Sequence, residues 1–304
     1  MSAQRAPASV DGSSALTVWP VAQQTARTQR RGRYLPAATA HPGKMLPELA
    51  RTIIHAYSQP GELVLDPMCG IGTTLVEAIH LDRDATGVEL EPRWAALAAA
   101  NVALAREQGA SANALCLPGD ARRLGRGLLD ELAGAVTLIL TSPPYGPSLH
   151  GQVKAGHGRP VEKWDDRYSR NPGNLAHLPA SRGRRPSFAD ALTEILAGCR
   201  RMLAPDGRLV LTARPYRSQG VLVDLPGHIV RLAGRAGLSL CERRVALLCG
   251  LRDGRLVPRT SFFQLTHQRR RTFERMLLIA HEDVLVFAPE RPHTAQATAA
   301  RERR

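Results

Sequence analysis

The residues with the clearest chemical potential fall in two short runs. The first, Asp66-Pro67-Met68-Cys69-Gly70-Ile71-Gly72-Thr73-Thr74, follows the apolar stretch Leu63-Val64-Leu65. That stretch is short enough for a buried parallel strand, and Asp66-Pro67 ends it because proline offers no N–H to a ladder. Gly70 and Gly72 let the backbone turn tightly and approach a ligand, and Thr73 or Thr74 can cap the helix that Leu75-Val76-Glu77-Ala78-Ile79 begins. Strand, glycine turn and helix N-terminus form the cofactor-binding opening of a Rossmann-like sheet. The second run, Ser142-Pro143-Pro144-Tyr145, follows the apolar segment Val136-Thr137-Leu138-Ile139-Leu140. Its prolines hold the backbone extended and leave carbonyl oxygens free of competing N–H groups. Such carbonyls and the Ser142 hydroxyl can accept hydrogen bonds from an exocyclic amino group, and Tyr145 offers a face on which a base can stack.

Two acids lie between these runs at strand ends. Glu89 closes a second strand, 85–90, and can accept both hydroxyls of a ribose; Asp120 follows a third, 112–117, and can accept from an adenine amino group. Ligands of a doubly wound sheet collect beyond the carboxyl ends of its strands. Both acids together therefore point to an adenosine-type cofactor. The G-x-G-x-x-G spacing of a nicotinamide site is absent, since Gly70-x-Gly72 is followed by Thr-Thr-Leu.

The elements that must position these residues alternate between strand and helix. An amphipathic helix is predicted over 48–57, an Ala-rich one from Pro92 to about Gln108, one over 188–203 and one near 221–235. Further strands are expected at 135–140, 208–213 and 238–248, with 276–280 and 284–287 as a final strand pair. The reading is an α/β Rossmann-like fold with a mostly parallel seven-stranded sheet and helices on both faces. Residues 1–40 read as a flexible basic arm carrying Arg30, Arg31 and Arg33, and 41–288 as the catalytic domain. A basic loop, 146–186, is inserted there, and 289–304 read as a disordered tail.

Composition narrows the class. The chain has 304 residues, a 43% apolar fraction and a formal net charge of +14, with three lysines (Lys44, Lys154, Lys163) against 38 arginines. That balance suits a polyanionic partner. No apolar run approaches a membrane span, and the N-terminus lacks a signal-peptide pattern, so a cytoplasmic protein without a membrane partner is expected. The five cysteines show no C-x-x-C pair and read as reduced residues. No His/Cys/Asp cluster has ligand spacing, so no metal is expected.

The pair Asp66-Pro-Met-Cys-Gly-Ile-Gly-Thr-Thr and Thr141-Ser-Pro-Pro-Tyr resembles the S-adenosylmethionine-dependent amino-methyltransferases of nucleic acids. It is most similar to cytosine-N4 DNA methyltransferases, whose four-residue motif begins with Ser where adenine-N6 enzymes usually carry Asp or Asn. His41-Pro-Gly-Lys-Met-Leu-Pro is similar to the segment that encloses the methionine end of the cofactor there, and His281-Glu-Asp-Val-Leu-Val-Phe to the last strand. The resemblance implies S-adenosylmethionine as cofactor, held by Lys44, Asp66, Pro67, Cys69, Gly70, Gly72, Thr73 and Thr74, with Glu89 on the ribose and Asp120 on the adenine. Ser142 and the Pro143 carbonyl would hold the target amine, Pro144 would stiffen the turn and Tyr145 would stack on a flipped base. Cytosine-C5 chemistry needs a Pro-Cys nucleophile, which no cysteine here provides. DNA is the expected partner, contacted by Arg30, Arg31, Arg33, Arg184, Arg185, Arg269, Arg270 and Arg271. The alternatives are adenine-N6 methylation of DNA, methylation of an exocyclic amine of tRNA or rRNA, and a non-catalytic binding protein on the same fold.

Overall fold

A computed structural model describes residues 16–144, 152–154, 162–164, 171, 173–179, 186–218, 221–259 and 277–290. The eight strands of the main sheet are β1 (Val18–Trp19), β2 (Leu63–Asp66), β3 (Asp84–Glu89), β4 (Ala114–Pro118), β5 (Val136–Thr141), β6 (Leu203–Ala213), β7 (Leu238–Leu247) and β8 (His281–Pro289). Their order is β1-β7-β8-β6-β5-β2-β3-β4. Strands β2 to β6 are mutually parallel, whereas β8 runs antiparallel to both β6 and β7. The strand order reverses between β2 and β5, where the crevice of a doubly wound sheet opens.

After the short helix α1 (Ala26–Arg30), helices α2 (Pro47–Tyr57), α3 (Thr73–Ile79) and α4 (Pro92–Glu107) cover one face, and α5 (Phe188–Met202) and α6 (Leu225–Arg235) the other. In α2, Leu49, Ile53 and Ile54 repeat at helical spacing and are wholly buried, each contributing about 1.5–3 kcal/mol of transfer free energy. Ser187 and Asp190 close a reciprocal capping box at the start of α5. The α/β architecture with a mostly parallel sheet and helices on both faces agrees with the sequence reading.

Several local expectations are corrected. The sheet has an eighth strand because residues 16–40 are not a free arm. Val18–Trp19 pairs with Val245–Ala246, and Trp19, Val21, Tyr34 and Ala38 are buried in the core. Residues 221–223 form a strand against Tyr216–Ser218, and α6 starts only at Leu225, where the Asp224 carboxylate accepts from the Gly227 N–H at 2.9 Å. Beyond β7 the chain forms a hairpin that the sequence reading did not include, Cys249–Arg252 with Arg255–Pro258, turned by Asp253 and Gly254 at φ of 50° and 70°. Asp-Gly is a strong hairpin signal, since both residues tolerate left-handed backbone. Residues 277–280 are not a strand, so the expected final pair is a single strand, β8.

Within the inserted loop, Gln152–Lys154 pairs with Glu162–Trp164, and a short turn at Leu175–His177 buries Leu175 and Ala176. The far N-terminus, most of the inserted loop, 260–276 and 291–304 lie outside the described residues. Among the described residues no helix is long and apolar enough to cross a membrane, and all five cysteines are free thiols.

Candidate active site

The loop after β2 is closed by the carboxylate that ends the strand. Asp66 accepts from the Met68 N–H at 3.0 Å and from the Thr74 hydroxyl at 2.6 Å, which ties the first turn of α3 back to the strand end. Burial pushes Asp66 up to about 6, against the pull of those bonds. The N-cap of α3 is Gly72 rather than a threonine; the Thr74 hydroxyl is spent on Asp66.

The two glycines have different tasks. Both are left-handed, Gly70 at φ +55° and Gly72 at φ +78°. A Cβ on Gly70 would stand 3.2 Å from His41 Nε2, so this glycine admits the 41–45 segment to the pocket rim. A Cβ on Gly72 would stand 3.0 Å from the Ala98 Cβ, so this one lets α3 pack on α4. Gly72 does not line the cavity described below.

Glu89, at the end of β3, is nearly buried. Its carboxylate accepts from the Gly70 N–H and from the Glu91 N–H, each at 2.9 Å, so it clamps the glycine loop to the neighbouring strand. Burial pushes Glu89 up to about 7; the two N–H donors act against this, while the Glu91 and Asp66 carboxyls add to it. One lone pair on each oxygen is left for a ligand. Asp120, after β4, is engaged differently. It accepts from the Arg122 backbone N–H and from its guanidinium, each at 3.0 Å. Burial acts upward on Asp120, but Arg122 outweighs it and holds the carboxyl below its ordinary range. The Lys44 ammonium donates to the carbonyls of Thr39 and His41, fixing the loop that covers the glycine turn. Cys69 packs with its Sγ 3.5 Å from that of Cys116.

A cavity of about 300 Å³ joins these groups to the turn after β5. Asp66, Pro67, Cys69, Gly70, Thr73, Thr74, Glu89, Asp120 and Lys44 line it from one side, and Ser142, Pro143 and Pro144 from the other. Tyr145 lies outside the described residues. His41 and Met45, from the segment expected to enclose the cofactor, also line it, whereas sequence reasoning missed Asn174 and Leu175 from the inserted loop and Thr212, Arg214 and Glu282. The His41 ring packs edge-on against Trp94 at 4.7 Å. Arg214 and Glu282 had only their positions just beyond β6 and at the start of β8.

The basic residues of the N-terminal segment are corrected. Arg30 is buried, donating to the Met45 carbonyl at 2.5 Å, and burial lowers its pKa. Arg33 forms a fork on Glu77, with Nε–Oε1 at 2.8 Å and Nη2–Oε2 at 2.6 Å, and the Tyr34 hydroxyl donates to the same carboxylate at 2.6 Å. Glu77 is wholly buried on α3, and a buried carboxylate requires such partners. These two arginines therefore serve the core, whereas Arg31 remains exposed. Arg184, Arg185, Arg269, Arg270 and Arg271 lie outside the described residues. Among the described residues no group of three or more His, Cys, Asp or Glu side chains could hold a metal ion.

Residues 3–100 match a family model described as DNA methylase, a match that includes Lys44, the glycine loop and Glu89 but ends before Ser142. The Type II methyltransferase M.XycI of Xanthomonas campestris pv. cyanopsidis is 44% identical over 64 residues, which is 21% of this chain and 21% of that protein. The tRNA (guanine(10)-N2)-dimethyltransferase of Methanocaldococcus jannaschii is 34% identical over 110 residues, 36% of this chain and 30% of that protein. The matched stretches thus span less than a third of these relatives' own lengths. Among solved structures, TrmN from Thermus thermophilus aligns with a TM-score of 0.47 at 21% identity, covering 86% of this chain and 53% of that one.

Proposed function

We propose that the chain binds S-adenosylmethionine and catalyses methylation of an exocyclic amino group on a nucleic-acid base, cytosine N4 of DNA first among the candidates. The observation that carries this reading is that the glycine-loop crescent and the Ser142–Pro144 turn open into one cavity. Both halves of a transfer reaction are then within reach of each other, and positioning is the main source of rate in such a step.

The residues present fit the cofactor. The cavity volume suits a nucleoside-sized ligand. The Glu89 carboxylate has lone pairs left for ribose hydroxyls, and the left-handed Gly70 brings His41 against the loop where the methionine end would lie. Asp120 would reach the adenine amine while sharing its carboxylate with Arg122. When bound, S-adenosylmethionine supplies a methyl group on a positively charged sulfonium. The Ser142 hydroxyl and the Pro143 carbonyl accept hydrogen bonds from the target amine, which draws its nitrogen toward a tetrahedral form with the lone pair free for attack. Pro144 keeps that turn rigid, and Tyr145 stacks on the base.

The charge distribution supports a nucleic-acid partner. The hairpins that follow β6 and β7 leave the sheet at the edge where the cavity lies, and they carry exposed Arg217, Arg252 and Arg255. In sequence, the segment bearing Arg184 and Arg185 follows β5, and the one bearing Arg269 to Arg271 lies between the second hairpin and β8. Arginines in such runs contact phosphates more often than bases. A second reading, methylation of an exocyclic amine of RNA, is favoured by the similarity to the tRNA dimethyltransferase over 110 residues. Methyl transfer from labelled S-adenosylmethionine to DNA and, separately, to total RNA tests the two. Label in DNA supports the first reading, label in RNA alone supports the second, and no cofactor binding by calorimetry refutes both.

A further inference from the structure

Three strand ends meet on the side of the cavity away from the glycine loop. Thr141 pairs with Leu211 between β5 and β6, and Ala213 pairs with Asp283 between β6 and β8. Continuing each ladder by one residue sets Ser142 beside Thr212 and Arg214 opposite Glu282. Side chains alternate along strands, so Thr212 and Arg214 share one face of β6, and Glu282 shares the corresponding face of β8 with Val284. All four polar residues, Ser142, Thr212, Arg214 and Glu282, line the cavity. The cofactor assignments leave Arg214 and Glu282 without a task, yet both line the cavity with Ser142, Arg214 just past the strand next to the Ser142 turn and Glu282 one strand further.

We propose that Glu282 and Arg214 read the target base: the Glu282 carboxyl bonds the ring nitrogen next to the amine, and the Arg214 guanidinium bonds the carbonyl beyond it. This rests on the methyl-transfer reading above and names its base. Along its pairing edge cytosine presents the N4 amine, then the N3 acceptor, then the O2 acceptor. Adenine presents its amine, one acceptor and then a C–H, which would leave the guanidinium facing a carbon. Guanine, entered through its N2 amine, presents an N–H donor next, which requires an ionised carboxylate. Burial favours the neutral, donating form of the Glu282 carboxyl here. Burial raises its pKa, Arg214 and His281 pull the other way, and its ladder partner on β7, Ala246, is apolar. Two donors beside the amine pocket match cytosine.

The test uses pools of random-sequence DNA, one with ordinary cytosine and one in which every cytosine is 3-deazacytosine, whose ring carries C–H in place of N3. Calorimetry with S-adenosylmethionine first establishes that each variant is folded. The wild-type chain is expected to prefer the cytosine pool by roughly tenfold more than Glu282→Ala or Glu282→Leu does, the size of one base contact. Glu282→Gln, whose amide can donate to N3, is expected to keep the wild-type preference. Arg214→Met is expected to lower the rate on cytosine roughly tenfold and to raise the ratio of N6-methyladenine to N4-methylcytosine. Variants that bind cofactor and keep the wild-type preferences overturn the pair's role while leaving the methyl-transfer reading intact. So does a wild-type chain that methylates adenine or guanine instead of cytosine. A wild-type chain that methylates no base overturns both.

Discussion

Replacing Glu89 by glutamine tests the cofactor half of the site at the carboxylate that ties the glycine loop to β3. The carboxylate accepts from the Gly70 and Glu91 N–H groups at 2.9 Å each. A glutamine can accept only one of these and must turn its own N–H toward the other, leaving a buried donor unpaired at a cost of about 1–3 kcal/mol in stability. On the ligand side, two ribose hydroxyls would exchange a charged acceptor for a neutral one, a loss of about 1 kcal/mol each. The expected result is a Kd for S-adenosylmethionine weakened roughly thirtyfold, since about 1.4 kcal/mol is tenfold. Glu89 titrates at about 7, and hydroxyl donors together with a cationic ligand favour its ionised form. Binding to the wild-type chain should therefore release a proton near neutral pH and weaken as pH falls through 7. Glu89→Gln should lose that slope, keeping only the part that belongs to Asp66 near 6. Calorimetry in buffers of different ionisation enthalpy reads both quantities. A folded Glu89→Gln variant with a Kd within about threefold of wild type and the same proton release would refute the assignment.

Ser142→Ala should abolish most methyl transfer while cofactor binding stays at the wild-type value; normal turnover in the purified variant would remove Ser142 from the amine-holding role. Arg33→Ala strips the buried Glu77 of its forked partner, leaving the Tyr34 hydroxyl and Arg51 at 3.9 Å. Because Arg33 is partly exposed, the expected loss is about 2–3 kcal/mol in urea unfolding, at the low end for a broken buried pair, and an unchanged midpoint would contradict the core role given to Arg33. Asp66 and Glu89 titrate at about 6 and 7 in the folded chain, against ordinary values of 3.8 and 4.5. The native state therefore holds protons that the unfolded chain has released, and their contribution to stability falls as pH rises through that window. Without ligand, the Tm should increase as pH is lowered from about 8 to about 6; a Tm that falls instead would show the two carboxyls to be ionised in the fold.

The glycine-loop wall of the cavity was legible in the sequence because most of its residues follow directly from a strand end. An apolar run, a Pro and two glycines announce Asp66 to Thr74, and Glu89 and Asp120 sit where the next two strands stop. The opposite wall was legible only at Ser142 to Pro144, whose prolines mark themselves. Arg214 and Glu282 come together through the register of β5, β6 and β8, and nothing local in either sequence neighbourhood points at the other. The N-terminal arginines misled for a related reason. Arg30 and Arg33 look like phosphate contacts until the fold brings a buried carboxylate from 44 residues away to Arg33. Charge patterns are read along the chain, and their partners are set across it. Asp253-Gly254, by contrast, was a local signal in plain view.

The central claim is that one cavity joins a methyl donor to a base amine, and nucleoside mass spectrometry tests it most directly. DNA from cells expressing the wild-type chain should contain N4-methylcytosine, and DNA from cells expressing Ser142→Ala should contain little or none. Absence of methylated exocyclic amines from both the DNA and the RNA of cells making folded wild-type chain would contradict the account.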